Sequence, residues 1–159
     1  MWKRLMWIAG IAIGIVLGLA VVLLAGLALW SWQRPDNLGV NDGKLAPCPD
    51  SPNCVSTQAA DHEHRIEPLR FDDAPDLAWA RLVRLVSGLP RTNVVDAGVD
   101  YMHVEFASLL FRFVDDVEFW MDTENKVIHF RSASRVGRGD LGANRSRMEA
   151  IRKAWQTAK

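Results

Sequence analysis

An uncharged apolar run near the start of the chain constrains the fold most strongly. The run extends from Leu5 to Trp30, and at a rise of about 1.5 Å per residue a helix of this length exceeds the roughly 30 Å of hydrocarbon in a bilayer. It predicts a transmembrane helix that anchors the protein in the lipid bilayer through residues 5–30. A cleaved signal peptide is the alternative, for which Gly26 and Ala28 would form a weak cleavage site.

The residues that flank the run predict its orientation. Lys3 and Arg4 precede it, and positive charge beside a span favours the cytoplasmic side. We therefore expect residues 1–4 to be cytoplasmic, and the rest of the chain to lie in the periplasm or another extracytoplasmic space, beyond a single crossing of the inner (cytoplasmic) membrane. Indole rings suit both membrane–water interfaces, and they occur at Trp2, Trp7, Trp30 and Trp32.

Glycines occupy every fourth position in part of the span, at Gly10, Gly14 and Gly18. They share one helix face and would let a second helix approach closely, which predicts a homodimer seam. Glycine is also common in membrane helices, and such repeats arise by chance in apolar segments. Both interpretations remain open.

Residues 31–47 are mostly polar and rich in turn formers, so they predict a linker that acts as a tether. The only cysteines follow, Cys48 and Cys54, and an extracytoplasmic location predicts a disulfide between them. A redox pair would normally have the closer C-x-x-C spacing. A metal site would need more ligands, for which His62 and His64 are the nearest candidates.

The residues from 48 to 159 show both helical and strand periodicity, which predicts one α+β domain. A helix with Pro75 in its first turn should end at Gly88 and bury a stripe that begins at Leu77, and a second helix should be capped by Asn144. Strands are expected at 64–71, 93–95, 101–106, 111–122 and 127–133. These elements predict one antiparallel β-sheet with both α-helices packed on one face, and His103 exposed on the other face.

Three blocks of this region, CPDSPNCVS, FVDDVEF and RSASRVGRGDLGANRSR, resemble the signature of the family called domain of unknown function 1499. They occur in the same order as in the family and cover nearly everything from Cys48 to the last helix. The resemblance implies a domain of the cell envelope or an organelle lumen, often behind a membrane anchor. It implies no reaction, so it assigns no catalytic residue.

Two adjacent carboxylates interrupt an apolar strand at Asp115 and Asp116. Only one of them can face the core, and hairpin pairing should bring the basic segment HFRSASR close to both, which predicts a buried carboxylate–arginine pair. The same region could instead bind an anion such as a lipid headgroup through hydroxyls, backbone N–H groups and a helix N-terminus. The candidate ligand-binding residues are Asp115, Asp116, Arg131, Ser132, Ser134, Arg135, Arg138, Asp140, Asn144 and Arg145.

The charge balance of 19 basic and 19 acidic residues argues against a nucleic-acid partner that relies on net positive charge. Hydrolysis of an envelope component is the alternative function, in which the two aspartates, Glu118 and His129 could perform general acid and base work. Ser132 or Ser134 could serve as the nucleophile. Neither serine lies in a G-x-S-x-G elbow, and the aspartates lack the further ligands of a metal hydrolase. A structural or ligand-binding role is therefore favoured over catalysis, and no metal or cofactor is expected.

Overall fold

The structure, a computed structural model, describes residues 2–157, in which a long helix leads into an antiparallel sheet covered by two shorter helices. The predicted α+β architecture is confirmed. The elements in chain order are α1 (Trp2–Ser31), β1 (Val40–Asn41), β2 (Lys44–Leu45), β3 (Cys54–Ser56), β4 (Leu69–Arg70), α2 (Pro75–Ser87), β5 (Thr92–Ala97), β6 (Tyr101–Ala107), β7 (Val114–Asp122), β8 (Val127–Ser134) and α3 (Ala143–Thr157).

Helix α1 is long and apolar enough to cross a membrane, judged by length and composition. Its 30 residues correspond to about 45 Å of helix, more than the roughly 30 Å of bilayer hydrocarbon. Its place near the N-terminus is also that of a signal sequence. The structure thus contains an apolar N-terminal helix that can serve as a membrane anchor or as a signal.

The main sheet has the strand order β3-β8-β7-β6-β5, and β4 pairs with β8 beside β3. The predicted hairpin of β7 and β8 is confirmed, with Asp115 opposite Ser134 and Asp116 opposite Ala133. On the other side of β7, Asp116 lies opposite Glu105 of β6. The central strands thus bring the acidic and basic blocks of the sequence together.

Helices α2 and α3 pack on one face of the sheet, which we call the helix face. Alternate strand residues such as Val117, Phe119 and Phe130 are fully buried there against α2 and α3. The predicted stripe of α2 is shifted at its start, because Leu77 is exposed and Trp79 is buried, with its indole N–H donating to Gly98 O at 2.8 Å. The apolar periodicity of α3 is confirmed by the burial of Met148, Ile151 and Trp155.

Several predicted element boundaries are wrong. The strand expected at 64–71 is reduced to Leu69–Arg70, in agreement with the missing N–H of Pro68. The strand expected from Phe111 begins only at Val114, because Arg112 has a positive φ of 57° that ends regular pairing. The short strand Cys54–Ser56 has no periodicity that could have predicted it.

The opposite face of the sheet, which we call the linker face, is covered by the linker and by the end of α1. Gly39 N–H donates to Glu118 Oε1 at 2.7 Å, and Gly43, with a φ of +70°, lies against the Trp120 ring, which a Cβ would approach to 3.4 Å. The expectation of an exposed His103 is therefore wrong, since this side chain is buried. The segment expected to be a plain tether is a layer of the fold.

Candidate functional site

The predicted site residues form two groups, one on each face of the sheet. Asp115 faces α3 and Asp116 faces the linker, because neighbouring strand residues point to opposite faces. We call the first group, around Asn144, the helix-face cluster, and the second, around Arg135, the linker-face cluster. The helix-face cluster consists of Asp115, Ser132, Ser134, Asp140, Asn144 and Arg147. The linker-face cluster consists of His103, Glu105, Asp116 and Arg135.

Arg135 joins the sheet to the end of α1. Its Nε and one terminal nitrogen donate to the two carboxylate oxygens of Asp116 at 2.8 and 2.7 Å. The same terminal nitrogen donates to Glu105 at 2.6 Å, and the other donates to the backbone oxygen of Ser31 at 3.1 Å. All three guanidinium nitrogens are thus used, and the planar fork of arginine is suited to such bidentate contacts.

Two further contacts reinforce this junction. The backbone N–H of Val114, the first residue of β7, donates to Ser31 Oγ at 3.3 Å. Arg34, just beyond α1, forms an ion pair with Glu105 at 3.3 Å. Helix α1 therefore ends against the sheet rather than in a free segment.

The charges of the linker-face cluster stabilise one another although they are buried. Burial alone would raise the pKa of Asp116, but the hydrogen bonds from Arg135 and His103 outweigh it and lower that pKa below its ordinary value. The pKa of Glu105 is lowered in the same way by Arg135, Asn93 and Arg34 against the effect of burial. Both carboxyl groups are consequently ionised in the folded protein at neutral pH.

This electrostatic arrangement predicts loss of stability in acid. The ordinary pKa values are 3.8 for Asp116 and 4.5 for Glu105, and both are lower in the folded state. The stabilisation is therefore complete above the ordinary values and is lost as the pH falls through the lowered ones. Urea unfolding of the full chain in mild detergent should show a free energy of unfolding that declines below about pH 4.5.

Asp116→Asn provides the comparison for this pH series. The variant should be less stable at neutral pH but should lose less stability between pH 5 and pH 3, since one of the two titrating groups is gone. Parallel pH profiles for the wild type and the variant would show that Asp116 is not the source of the dependence.

Glu118 and Arg131 extend the ionic contacts along the linker face. Glu118 is fully buried and accepts from Tyr101 Oη at 2.9 Å and from Arg131 at 3.3 Å, in addition to Gly39 N–H. Burial and the negative charge of Glu118 raise the pKa of Tyr101, so its hydroxyl keeps its proton. The linker is therefore fixed to the sheet by a buried carboxylate.

Asn144 is the centre of the helix-face cluster. Its Oδ1 accepts from Ser132 Oγ and from Arg147, which also donates to Asp115 at 2.6 Å. Its Nδ2 lies within 2.9 Å of three acceptors, which are Asn53 O, Ser134 Oγ and Asp140 Oδ2. A buried amide with every hydrogen-bonding position used is a structural group rather than one that awaits a ligand.

The prediction that Asn144 caps the last helix is wrong, because α3 begins at Ala143 and Asp140 serves this purpose. The Asp140 carboxylate accepts from the backbone N–H groups of Gly142 and Asn144 at 3.0 and 2.7 Å. A carboxylate at the start of a helix satisfies free N–H groups and complements the helix dipole. The position that the anion hypothesis assigned to a ligand is thus occupied by Asp140.

The remaining arginines of the predicted site lie away from both clusters. Arg138 is exposed and donates to Asp50 O at 3.4 Å. Arg145 is half-buried and donates to Glu63 O and Arg65 O at 2.6 and 3.1 Å, across the chain from the aspartates. The structure thus brings together Asp116 and Arg135, and separately Asp115 with Ser132, Ser134, Asp140 and Asn144, but it does not gather all ten residues at one site.

The segment CPDSPNCVS contacts the segment RSASRVGRGDLGANRSR through Asn53. Its backbone oxygen accepts from Ser134 N and Asn144 Nδ2, and its side chain donates to Gly137 O at 2.8 Å. The predicted disulfide Cys48–Cys54 is confirmed, with 5.7 Å between the Cα atoms. It closes the loop that contains Asn53 and so helps to hold this contact in place.

Removal of the disulfide should destabilise the domain moderately. Closing so short a loop is worth about 2 kcal/mol in the unfolded-state entropy model. Cys48→Ser combined with Cys54→Ser should lower the free energy of unfolding by about this amount, measured by urea unfolding without reductant. If dithiothreitol lowers the stability of the wild type but not that of the double variant, the loss belongs to the disulfide; equal stability of the two proteins without reductant would contradict it.

The two serines and His129, which were considered for hydrolysis, are not arranged as a nucleophile and its base. Ser132 is fully buried and donates to Asn144, and Ser134 Oγ accepts from the same amide. His129 stacks on Trp120 and lies 3.0 Å from Thr57 Oγ1, which also contacts both backbone polar groups of Phe130. Burial lowers the pKa of His129. These hydroxyls are held by internal hydrogen bonds rather than directed at an open cleft.

Sequence reasoning missed the roles of His103, Glu105 and Arg147, and it considered Glu118 only as a general acid or base. His103, Glu105 and Glu118 lie on the polar side of strands β6 and β7, where alternation alone predicts exposure to water. A signal was present in the acidic residues of these short strands, because several carboxylates without Lys or Arg on the same strands require partners from elsewhere in the fold. Arg147 gave no such signal, since its contact with Asp115 depends on how α3 crosses the sheet.

Comparison with known proteins adds a family but no activity. A family model described as "Protein of unknown function (DUF1499)" matches residues 44–155. A search of curated proteins and a search of solved structures each found no match.

Proposed function

The chain belongs to the DUF1499 family of proteins of unknown function, and we propose from its own geometry that it is a structural domain of the cell envelope, carried rigidly on a membrane span. The observation that carries this proposal is the junction at Arg135. One buried guanidinium binds the end of α1 through Ser31 O and the sheet through Asp116 and Glu105.

A fixed junction has a consequence for what the domain can do. If α1 spans the bilayer, the domain is held at the membrane surface in one orientation, because its linker is packed on the sheet instead of extended. A domain placed in this way suits a scaffold that presents one surface to the membrane and another to the space beyond. A flexible tether would be needed for a domain that searches a volume for its partner.

We place the domain on the non-cytoplasmic side of the inner membrane, with residues 1–4 in the cytoplasm. Two observations support this placement. Lys3 and Arg4 precede the span and favour the cytoplasm, and the disulfide Cys48–Cys54 fits an oxidising compartment.

Ligand binding by the segment between β8 and α3 has less support from the structure than the structural role. Asp140 occupies the start of α3, and Arg135 is neutralised by two carboxylates. Hydrolysis of an envelope component, the second function considered from the sequence, has no geometric feature in its favour, since its serines and His129 are engaged in internal contacts.

The rigid junction can be tested by double electron–electron resonance, which measures the distance between two spin labels, on the full chain in lipid nanodiscs. Spin labels attached to Leu19→Cys in α1 and Glu124→Cys in the β7–β8 turn report the position of the domain relative to the helix. We expect one narrow distance distribution in the wild-type background. The native cysteines do not compete for the label because they are joined as a disulfide.

Arg135→Gln is the diagnostic variant and Arg138→Gln the matched control. Loss of the Arg135 contacts should broaden the distribution. Replacement of Arg138, which is exposed and donates a hydrogen bond to the Asp50 carbonyl oxygen, should leave it narrow. A broad distribution in the wild-type background, or an unchanged one in Arg135→Gln, would overturn the proposal.

A further inference from the structure

The loop between β6 and β7 exposes three consecutive apolar side chains. Leu109, Leu110 and Phe111 have 76, 78 and 43 % of their surface exposed. Two hydrogen bonds close the base of the loop, since Ser108 N–H donates to Phe113 O at 2.8 Å and Ser108 Oγ accepts from Phe113 N at 2.9 Å. A closed loop that exposes a run of large apolar groups to water requires an explanation beyond the fold itself.

This loop lies beside the end of α1. Val114, which follows the loop directly, bonds to Ser31, and Trp32 and Arg112 line the same cavity. On α1, three residues at helical spacing before Ser31 are partly covered, in contrast to their exposed neighbours: Leu24, Leu27 and Ala28. The domain therefore reaches down one face of α1 by up to two turns, about 10 Å.

Two arginines flank the loop at the same sheet edge. Arg91 and Arg112 are exposed, and they line a cavity of about 240 Å³ whose other charged lining residues are Glu105 and Arg135. Trp32 and Asn93 line the same cavity. Within residues 2–157, no carboxylate forms an ion pair with Arg91 or Arg112. The cavity lining thus contains three arginines and one carboxylate, next to an apolar loop and the exposed Trp32.

We propose that this edge binds the membrane that α1 crosses, with Leu109–Phe111 inserted among acyl chains and Arg91 and Arg112 bound to the phosphate of an anionic phospholipid. The proposal rests on the proposed function, because only a spanning α1 brings the loop to the bilayer. Apolar tips flanked by basic residues are typical of peptide segments that lie in the interface. Guanidinium groups recognise phosphate by paired hydrogen bonds.

Insertion of the loop can be measured by the depth of a fluorophore in the full chain. A nitrobenzoxadiazole label on Leu110→Cys, in nanodiscs that contain phosphatidylcholine with a spin label near the top of the acyl chain, should be quenched strongly. The matched control is Val99→Cys, which replaces a 90 % exposed apolar residue in the loop at the opposite end of β6. That label should be quenched little.

Equal, weak quenching at positions 110 and 99 would overturn the proposal that the loop 109–111 inserts into the membrane. This failure is distinguishable from failure of the rigid junction, which has its own readout. A narrow distribution of distances between α1 and the domain, combined with an unquenched label at position 110, would reject the membrane insertion of the loop alone. A broad distribution of distances would reject the rigid junction.

Lipid selectivity tests the role of the arginines. The full chain is extracted with mild detergent from nanodiscs of equal phosphatidylcholine and phosphatidylglycerol, and the retained lipid is identified by mass spectrometry. Retained lipid should be enriched in phosphatidylglycerol, and Arg91→Gln with Arg112→Gln should reduce that enrichment at least about fivefold, as expected for loss of basic residues near an anionic surface.

The double variant Arg138→Gln with Arg145→Gln is the control, because it removes two positive charges from residues that do not line this cavity. It should keep the enrichment in phosphatidylglycerol. Retention without preference for the anionic lipid in the wild type, or an equal loss in both double variants, would overturn the phosphate assignment.

Discussion

Arg135→Ala is expected to lower the free energy of unfolding of the full chain by about 3–5 kcal/mol. Among residues 2–157, the variant leaves the Asp116 carboxylate, which belongs to a residue 2 % exposed, with His103 as its one remaining side-chain partner. It also removes the Arg135 donors to Glu105 and to Ser31 O. Such a loss is typical when one partner of a buried ion pair is removed, because the remaining charge stays desolvated. Urea unfolding in mild detergent, followed by near-ultraviolet circular dichroism, measures the effect.

Arg138→Ala is the control for this variant. It removes the same side chain three positions later, but from the surface, so its effect should stay within about 0.5 kcal/mol. If the two variants were equally stable, Arg135 would not have the structural role that its contacts indicate.

Asn144→Ala is expected to destabilise the chain by about 3 kcal/mol. The substitution removes a buried amide whose partners include Asn53 O, Ser132 and Arg147. Each buried group left without a partner costs about 1–3 kcal/mol, while alanine favours the helix slightly and offsets a small part of this. The same unfolding measurement provides the value.

Gln156→Ala controls for the change of an amide to alanine within α3. This side chain is exposed near the end of the helix, so its removal should change stability by less than about 0.5 kcal/mol. A loss of under 1 kcal/mol for Asn144→Ala would mean that this residue does not hold the segments CPDSPNCVS and RSASRVGRGDLGANRSR together.

The helices and the central strands could be predicted because their signals are local. Apolar periodicity sets the buried face of α3, and Pro75 and Gly88 bound α2. The alternation of β6 and β7 likewise predicted which residues share a face. Such patterns depend on a few neighbouring residues and are readable from one sequence.

The burial of the linker face could not be predicted in this way. Alternation distinguishes two faces of a strand, but it does not say whether a distant segment covers the polar one. Here the cover comes from Gly39 and from the end of α1, which meet Glu118 and Arg135 across 79 and 104 positions of sequence. The buried pairing of Asp116 was expected in principle, whereas its connection to α1 was not.

The candidate site was affected by the same limitation. Ten residues were grouped because they are close in sequence or joined by one hairpin, but a strand distributes consecutive residues over two faces. Asp115 and Asp116 therefore belong to different clusters. Phe111, the last residue of the exposed loop 109–111, was included in the strand predicted at 111–122, because it continues the apolar pattern of β7 and the left-handed conformation of Arg112 leaves no trace in the sequence.

The central claim is that Asp116 and Arg135 act as one buried structural unit, and a double-mutant cycle tests it most directly. Urea unfolding of the full chain is compared for the wild type, Asp116→Ala, Arg135→Ala and the double variant. We predict that the double variant is less destabilised than the sum of the single variants by about 2 kcal/mol or more, within the range seen for residues in direct contact. Additive losses, with a coupling energy near zero, would contradict the claim.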